Sequence, residues 1–145
     1  MTIRVALVSC VKSKRACASA AQDLYTSDLF ASMRTFAQIN AEEWFILSAE
    51  HGVLKPDEVV HPYERTLNRM PKLERLEWAD RVQRRLLELL PPGALITVLA
   101  GMRYRENLLP FLRHHGFPVS VPMEGLKFGF QLRWLKEQNR NEQTG

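Results

Sequence analysis

Glu50-His51-Gly52 sets a carboxylate beside an imidazole and follows them with the residue whose backbone turns most freely. Such a pair moves protons when both groups face one cavity, and the glycine supplies a positive φ or lets a ligand approach the backbone. The competing reading is a turn in which His51 caps the backbone and Glu50 is solvated, because neighbours in an extended stretch point to opposite sides. In Ser9-Cys10-Val11-Lys12-Ser13-Lys14 the two lysines, the serine hydroxyls and the loop amides read as a cradle for a phosphate or other anion; a wet loop is the alternative. Cys10 stands either as a nucleophile or as a small packing residue. Tyr63, stiffened by Pro62, reads as a stacking platform for a base or sugar, or as an aromatic plug. Arg103 and Tyr104 begin a helix after a third apolar run, where a cation near the helix N-terminus and loop amides suit an anion; Glu124 supplies a second carboxylate, and Gly101 and Gly125 read as turn geometry or close ligand approach.

Ser48 precedes the Glu-His-Gly triplet at the end of an apolar run, and the other loops also follow such runs. Residues 3–9, IRVALVS, and 44–49, WFILSA, read as strands buried on both faces, as do 94–101, ALITVLAG, and the shorter FPVSVP. Between them, a helix is expected from Ser27, a good N-cap, to Ile39. A second is expected over Pro71–Leu90, with Leu73, Leu76, Val82, Leu86 and Leu89 as its apolar stripe. A third runs from Arg103 to His114 with a break near Pro110. A last one begins near Leu126 and turns Phe128, Leu132 and Leu135 inward. Alternating strands and helices predict an α/β fold, three-layer α/β/α with a mainly parallel four-stranded sheet, as a single domain over 1–138 with a polar C-terminal tail over 139–145. In such sheets ligands bind at the carboxyl ends of the strands, so the four loops are expected to share one pocket.

Composition sets the outer bounds. The chain has 145 residues, 46% hydrophobic and 25% charged, ordinary for a globular protein, with a net charge of +4 that suits an anionic partner. No run approaches the roughly 18 apolar residues of a membrane helix, and MTIRVALVSC lacks the pattern of a signal peptide, so a cytoplasmic protein without a membrane partner is expected. Cys10 and Cys17 are too few for a disulfide framework or a zinc site, and neither a metal nor a cofactor is expected. The Gly-x-x-x-x-Gly-Lys and Gly-x-Gly-x-x-Gly patterns are missing, which argues against an ATPase and a dinucleotide fold.

Residues 47–67, LSAEHGVLKPDEVVHPYERTL, resemble the "LSxxYGxLxPxdxixPYrxxm" region of the YaaA family, bacterial proteins linked to peroxide stress and DNA binding. Ser48, Gly52, Leu54, Pro56, Pro62 and Tyr63 carry the likeness, and His51 stands where that family usually has tyrosine. With SCVKSK, DLYTSDLF and PMEGLKFGFQLRWL, the chain over residues 4–135 more closely resembles a short stand-alone bacterial and phage domain family of unassigned function. Both groups are similar to a core also seen in uracil-DNA glycosylases and in an archaeosine-synthase domain. The resemblance implies a strand-end rim that handles a nucleobase or nucleotide; no helix-hairpin-helix segment and no glycosylase water-activating motif accompany it.

Two functions follow as expectations. One is an enzyme that hydrolyses or exchanges an N-glycosidic bond of a nucleoside or nucleotide. Glu50 or Glu124 would then stabilise the sugar cation or activate water, His51 would assist the leaving base, Tyr63 would stack on it, and Lys12 and Lys14 would hold phosphate. The other is a non-catalytic nucleic-acid-binding or stress-response module, or a nucleotide sensor, using the same rim.

Overall fold

Parallel pairing organises the molecule around its first strand. The computed structural model describes residues 2–144. In it β1 (Arg4–Ser9) lies between β3 (Glu43–Ser48) and β6 (Leu95–Leu99), parallel to both. β4 (Gly52–Leu54) adds an antiparallel edge to β3, and β7 (Val119–Ser120) a parallel edge to β6. The order is β4-β3-β1-β6-β7, five strands where four were expected. The additional strand is β4. Gly52, at φ +76, reverses the chain after the Ala49-Glu50-His51 turn, so the residues that follow pair back on β3. The continuous apolar runs are strands because both faces are covered: Leu7, Ile46, Leu47, Ile96 and Leu99 are all fully buried.

The connections wind away from β1 in two directions. α2 (Asp28–Asn40) carries the chain from β1 to β3 on one side, and α3 (Lys72–Leu89) carries it back across to β6 on the other. Ser27 caps α2 as its sequence suggests, its hydroxyl accepting from Phe30 N at 3.1 Å. The buried stripe of α3 is Trp78, Ala79, Val82 and Leu86, whereas Leu73 and Leu76 are exposed. The expected stripe was therefore displaced around the helix in its first two turns. Tryptophan decides the facing, because its indole N–H donates to Ser48 O at 2.9 Å and fixes the helix on β3.

Three small elements lie outside the expected alternation. β2 (Ser19–Ala20) pairs antiparallel with β5 (Val59–Val60), and α1 (Ala21–Leu24) follows β2 directly. The expected Arg103–His114 helix is two pieces, α4 (Met102–Arg105) and α5 (Leu109–His114). The break falls before Pro110, which occupies the first turn of α5, where a missing N–H is harmless. α6 (Phe128–Thr144) packs on α2 and buries Leu135 fully, while Phe128 is exposed, against expectation. The segment expected as a polar tail begins inside this helix. Asn139 is buried there and donates from Nδ2 to Ser32 O at 3.1 Å; the last residue of that segment lies outside the described residues.

Candidate functional site

The change of winding direction falls between β1 and β6. Loops leaving two such neighbouring strands part to opposite sides and leave a crevice at the carboxyl edge. The registers Val8↔Leu99 and Ser9↔Leu47 end the three central strands level with one another, and Cys10 N prolongs the ladder by donating to Leu47 O at 2.9 Å. Two hollows open just beyond.

The first, about 180 Å³, is floored by Ser9 and Cys10 at the end of β1 and by Ala100 and Gly101 at the end of β6. Its walls are largely apolar, with Leu29 and Met33 from α2 and Val121 and Met123 after β7. Polar reach comes from Asn68, Gln131 and Arg105. Gln131 is steered by its own bond to Leu126 O (2.8 Å) and Arg105 by one to Ala100 O (2.8 Å).

The second hollow, about 270 Å³, lies beside it and is basic: Lys12, Lys14, Arg65 and Arg69 line it, with Glu64 as its one acidic residue among those described. Cys10, Val11, Asn68 and Tyr104 line both hollows and form their shared seam.

Local hydrogen bonds explain why these loops hold their shape. Arg15 N donates to Leu24 O (2.8 Å) and Thr26 N to Ser13 O (2.9 Å), so the lysine loop is pinned against the segment before α2. Lys14 then lies with its ammonium 4.6 Å from the centre of the Tyr63 ring, and donates to Lys12 O at 3.0 Å. On the other wall, residues 67–69 make a single 3-10 turn capped by Thr66, whose hydroxyl accepts from Asn68 N at 3.3 Å. The Tyr104 hydroxyl receives Leu67 N at 3.4 Å and the Cys10 thiol at 3.4 Å, tying that turn to both β1 and α4.

Beneath the lysine loop runs a chain of hydroxyls. His51 N donates to Ser48 Oγ (3.0 Å), Ser48 Oγ donates to the Tyr63 hydroxyl (2.8 Å), and Tyr63 and Tyr25 share a hydrogen bond of 2.6 Å. Burial pushes the phenols of Tyr25, Tyr63 and Tyr104 well above the ordinary tyrosine range, and neighbouring Cys10 adds to each shift. All three therefore remain neutral over the physiological range and act through hydrogen bonds.

The expected site residues divide accordingly. Ser9, Cys10, Lys12, Lys14, Gly101 and Tyr104 come together around the two hollows. Ser48, Gly52 and Tyr63 stand behind them as support, with the Tyr63 ring facing Lys14 and its hydroxyl inside the chain just described. Glu50 and His51 are exposed in the β3–β4 turn and line neither hollow; the His51 ring meets the Tyr63 ring edge-on at 5.4 Å. Glu124 and Gly125 are exposed, and Gly125 has φ +82, which a turn requires. Arg103 pairs with Glu106 at 3.5 Å outside the hollows. Glu64, Arg65, Asn68, Arg69, Arg105 and Gln131 were not singled out from the sequence. Glu64 and Arg65 directly follow the Pro62-Tyr63 pair, and Asn68 and Arg69 come within six residues of it; that nearness is the available signal.

Among the described residues no group of three or more His, Cys, Asp or Glu side chains is placed to hold a metal ion, and no helix is long and apolar enough to cross a membrane. Cys10 is buried and Cys17 exposed, both as free thiols.

A family model described as a family of unknown function, DUF6884, matches residues 5–137, and the chain belongs to that family. It is also 30% identical over 118 residues to the uncharacterized protein YfjM of Bacillus subtilis (strain 168), a match covering 79% of this chain and 77% of that protein.

Proposed function

We propose that this DUF6884 protein binds a nucleotide across the paired hollows and hydrolyses its N-glycosidic bond. One observation carries the reading: an apolar hollow with side-chain amides adjoins a basic one, with a neutral phenol and a thiol at the seam. A nucleotide has the same division. Its flat base is apolar on its faces and carries donors and acceptors at its edge, which Asn68 and Gln131 match. Its phosphate matches Lys12, Lys14, Arg65 and Arg69. The likeness of residues 47–67 to the YaaA segment, and of the core to uracil-DNA glycosylases, supports a nucleobase as the ligand.

With the two ends so placed, the sugar lies at Cys10 and Tyr104. Breaking the bond sends its electron pair onto the base and leaves positive charge on the sugar, which a carboxylate stabilises. Glu64 is the carboxylate at the cleft and takes the role first expected of Glu50 or Glu124, which line neither hollow. A water oxygen then bonds to the sugar carbon, and its proton passes to Glu64 and on to the departing base. Tyr104, kept protonated by burial, donates a hydrogen bond to the departing base as negative charge develops on it.

Chromatography of nucleosides, nucleotides and oligonucleotides incubated with the protein tests the proposal by release of free base. Glu64→Gln should reduce release about 100-fold or more while leaving ligand affinity within a few-fold. Release that survives this change, or no release from any substrate, contradicts the hydrolase reading. Saturable binding without turnover instead supports a nucleotide sensor, a reading favoured by the exposure of Glu64.

A further inference from the structure

Three large apolar side chains close in the chain to residues of the apolar hollow stand in solvent. Phe128 is 62% exposed, Phe130 59% and Met102 65%. Gln131 and Gly101 line the apolar hollow, and these three residues are their near neighbours in the chain. Helix geometry places Phe128 more closely: positions 128, 131 and 135 share one face of α6. Leu135 is fully buried and Gln131 reaches the hollow, so Phe128 lies on the same side of α6 as both and yet stands in solvent. An aromatic there covers nothing within the chain. Positive charge accompanies it: Lys127 is exposed beside it in the chain and four cations line the basic hollow, whereas Arg103 is paired with Glu106 and the exposed Glu124 precedes Lys127 by three residues.

We infer that the cleft takes its nucleotide from a single-stranded nucleic acid, with Phe128 and Phe130 stacking on the bases that flank it. This inference rests on the cleft being a nucleotide site. Each base has a π-face, so stacking on exposed aromatics tolerates any sequence, and the surrounding cations meet the phosphates on either side. A free mononucleotide would fill the hollows and leave both phenylalanines without a partner. A duplex has its bases stacked on one another and offers them no face.

The test compares binding of a nucleoside 5′-monophosphate, single-stranded DNA and RNA oligonucleotides and duplex DNA at matched salt, using the wild type and the Phe128→Ala/Phe130→Ala variant. The single strand should bind at least about tenfold tighter than the monophosphate, and the double variant should lose about tenfold or more of that affinity. Its monophosphate affinity and the salt dependence of strand binding should stay unchanged, because the cations are intact. The tighter of the DNA and RNA arms identifies the source of the strand. Single strands no tighter than the monophosphate, an indifferent double variant, or a preference for duplex would overturn this inference while leaving the cleft assignment standing. No binding of any of these ligands would remove both.

Discussion

Ser48 is fully buried, and its hydroxyl serves two neighbours at once, accepting from His51 N and donating to Tyr63. Ser48→Ala removes both bonds and leaves a buried phenol short of a partner, so unfolding free energy should drop by about 1–3 kcal/mol in urea titration. Tyr104 has a comparable place on the other wall. Tyr104→Phe deprives the Leu67 amide of its acceptor, and hydrogen exchange there should quicken while the strand amides stay protected. These two residues also show what was legible one residue at a time. Ser48, Tyr63 and Tyr104 all stand out by type and position, but the first two support the site from behind. Hydroxyls suit buried networks and ligands equally, and only the packing around β3 separates the two. Glu64, Arg65 and Arg69 carry no such signal: charged residues in a loop ordinarily face solvent, and these three do so at the rim of the basic hollow.

At the scale of elements, the β3–β4 hairpin depends on Gly52. A Cβ there would meet Val82 Cγ2 at an ordinary 3.7 Å, so space is not the obstacle; the positive φ is. Gly52→Ala should therefore lower stability by about 1–2 kcal/mol, measured by thermal or urea unfolding, without disturbing the core. Strands 1, 3 and 6 were readable because burial on both faces leaves an unbroken apolar run. β4 was not, since it has three residues and follows a turn that looks like a site. The helical period predicts α3 at nearly its full length but only part of its facing. Leucines at 73 and 76 satisfy a helical period as well as Trp78 and Ala79 do, and the indole bond to Ser48 O resolves the choice only in three dimensions.

For the whole molecule, the buried phenols of Tyr25 and Tyr104 and the partly buried one of Tyr63 link stability to alkaline pH. An unfolded tyrosine ionises near pH 10, whereas Tyr25, Tyr63 and Tyr104 hold their protons above it when folded. A raised folded pKa means that stability is full below about pH 10 and is lost as pH rises beyond it, by up to about 1.4 kcal/mol per phenol per pH unit. Urea midpoints measured across that range should fall steeply, and less steeply in Tyr104→Phe. The α/β class and its strand-end rim were visible in the alternation of strands and helices. The cleft's place between β1 and β6 follows from strand order, which no local pattern contains. That placement is the central claim, and NMR titration with a nucleoside 5′-monophosphate tests it most directly. Saturable amide shifts should concentrate in residues 9–14, 64–69 and 101–105 and disappear in Lys14→Ala/Arg69→Ala. Shifts centred instead on the Glu50-His51 turn, or no saturable shift at all, would contradict it.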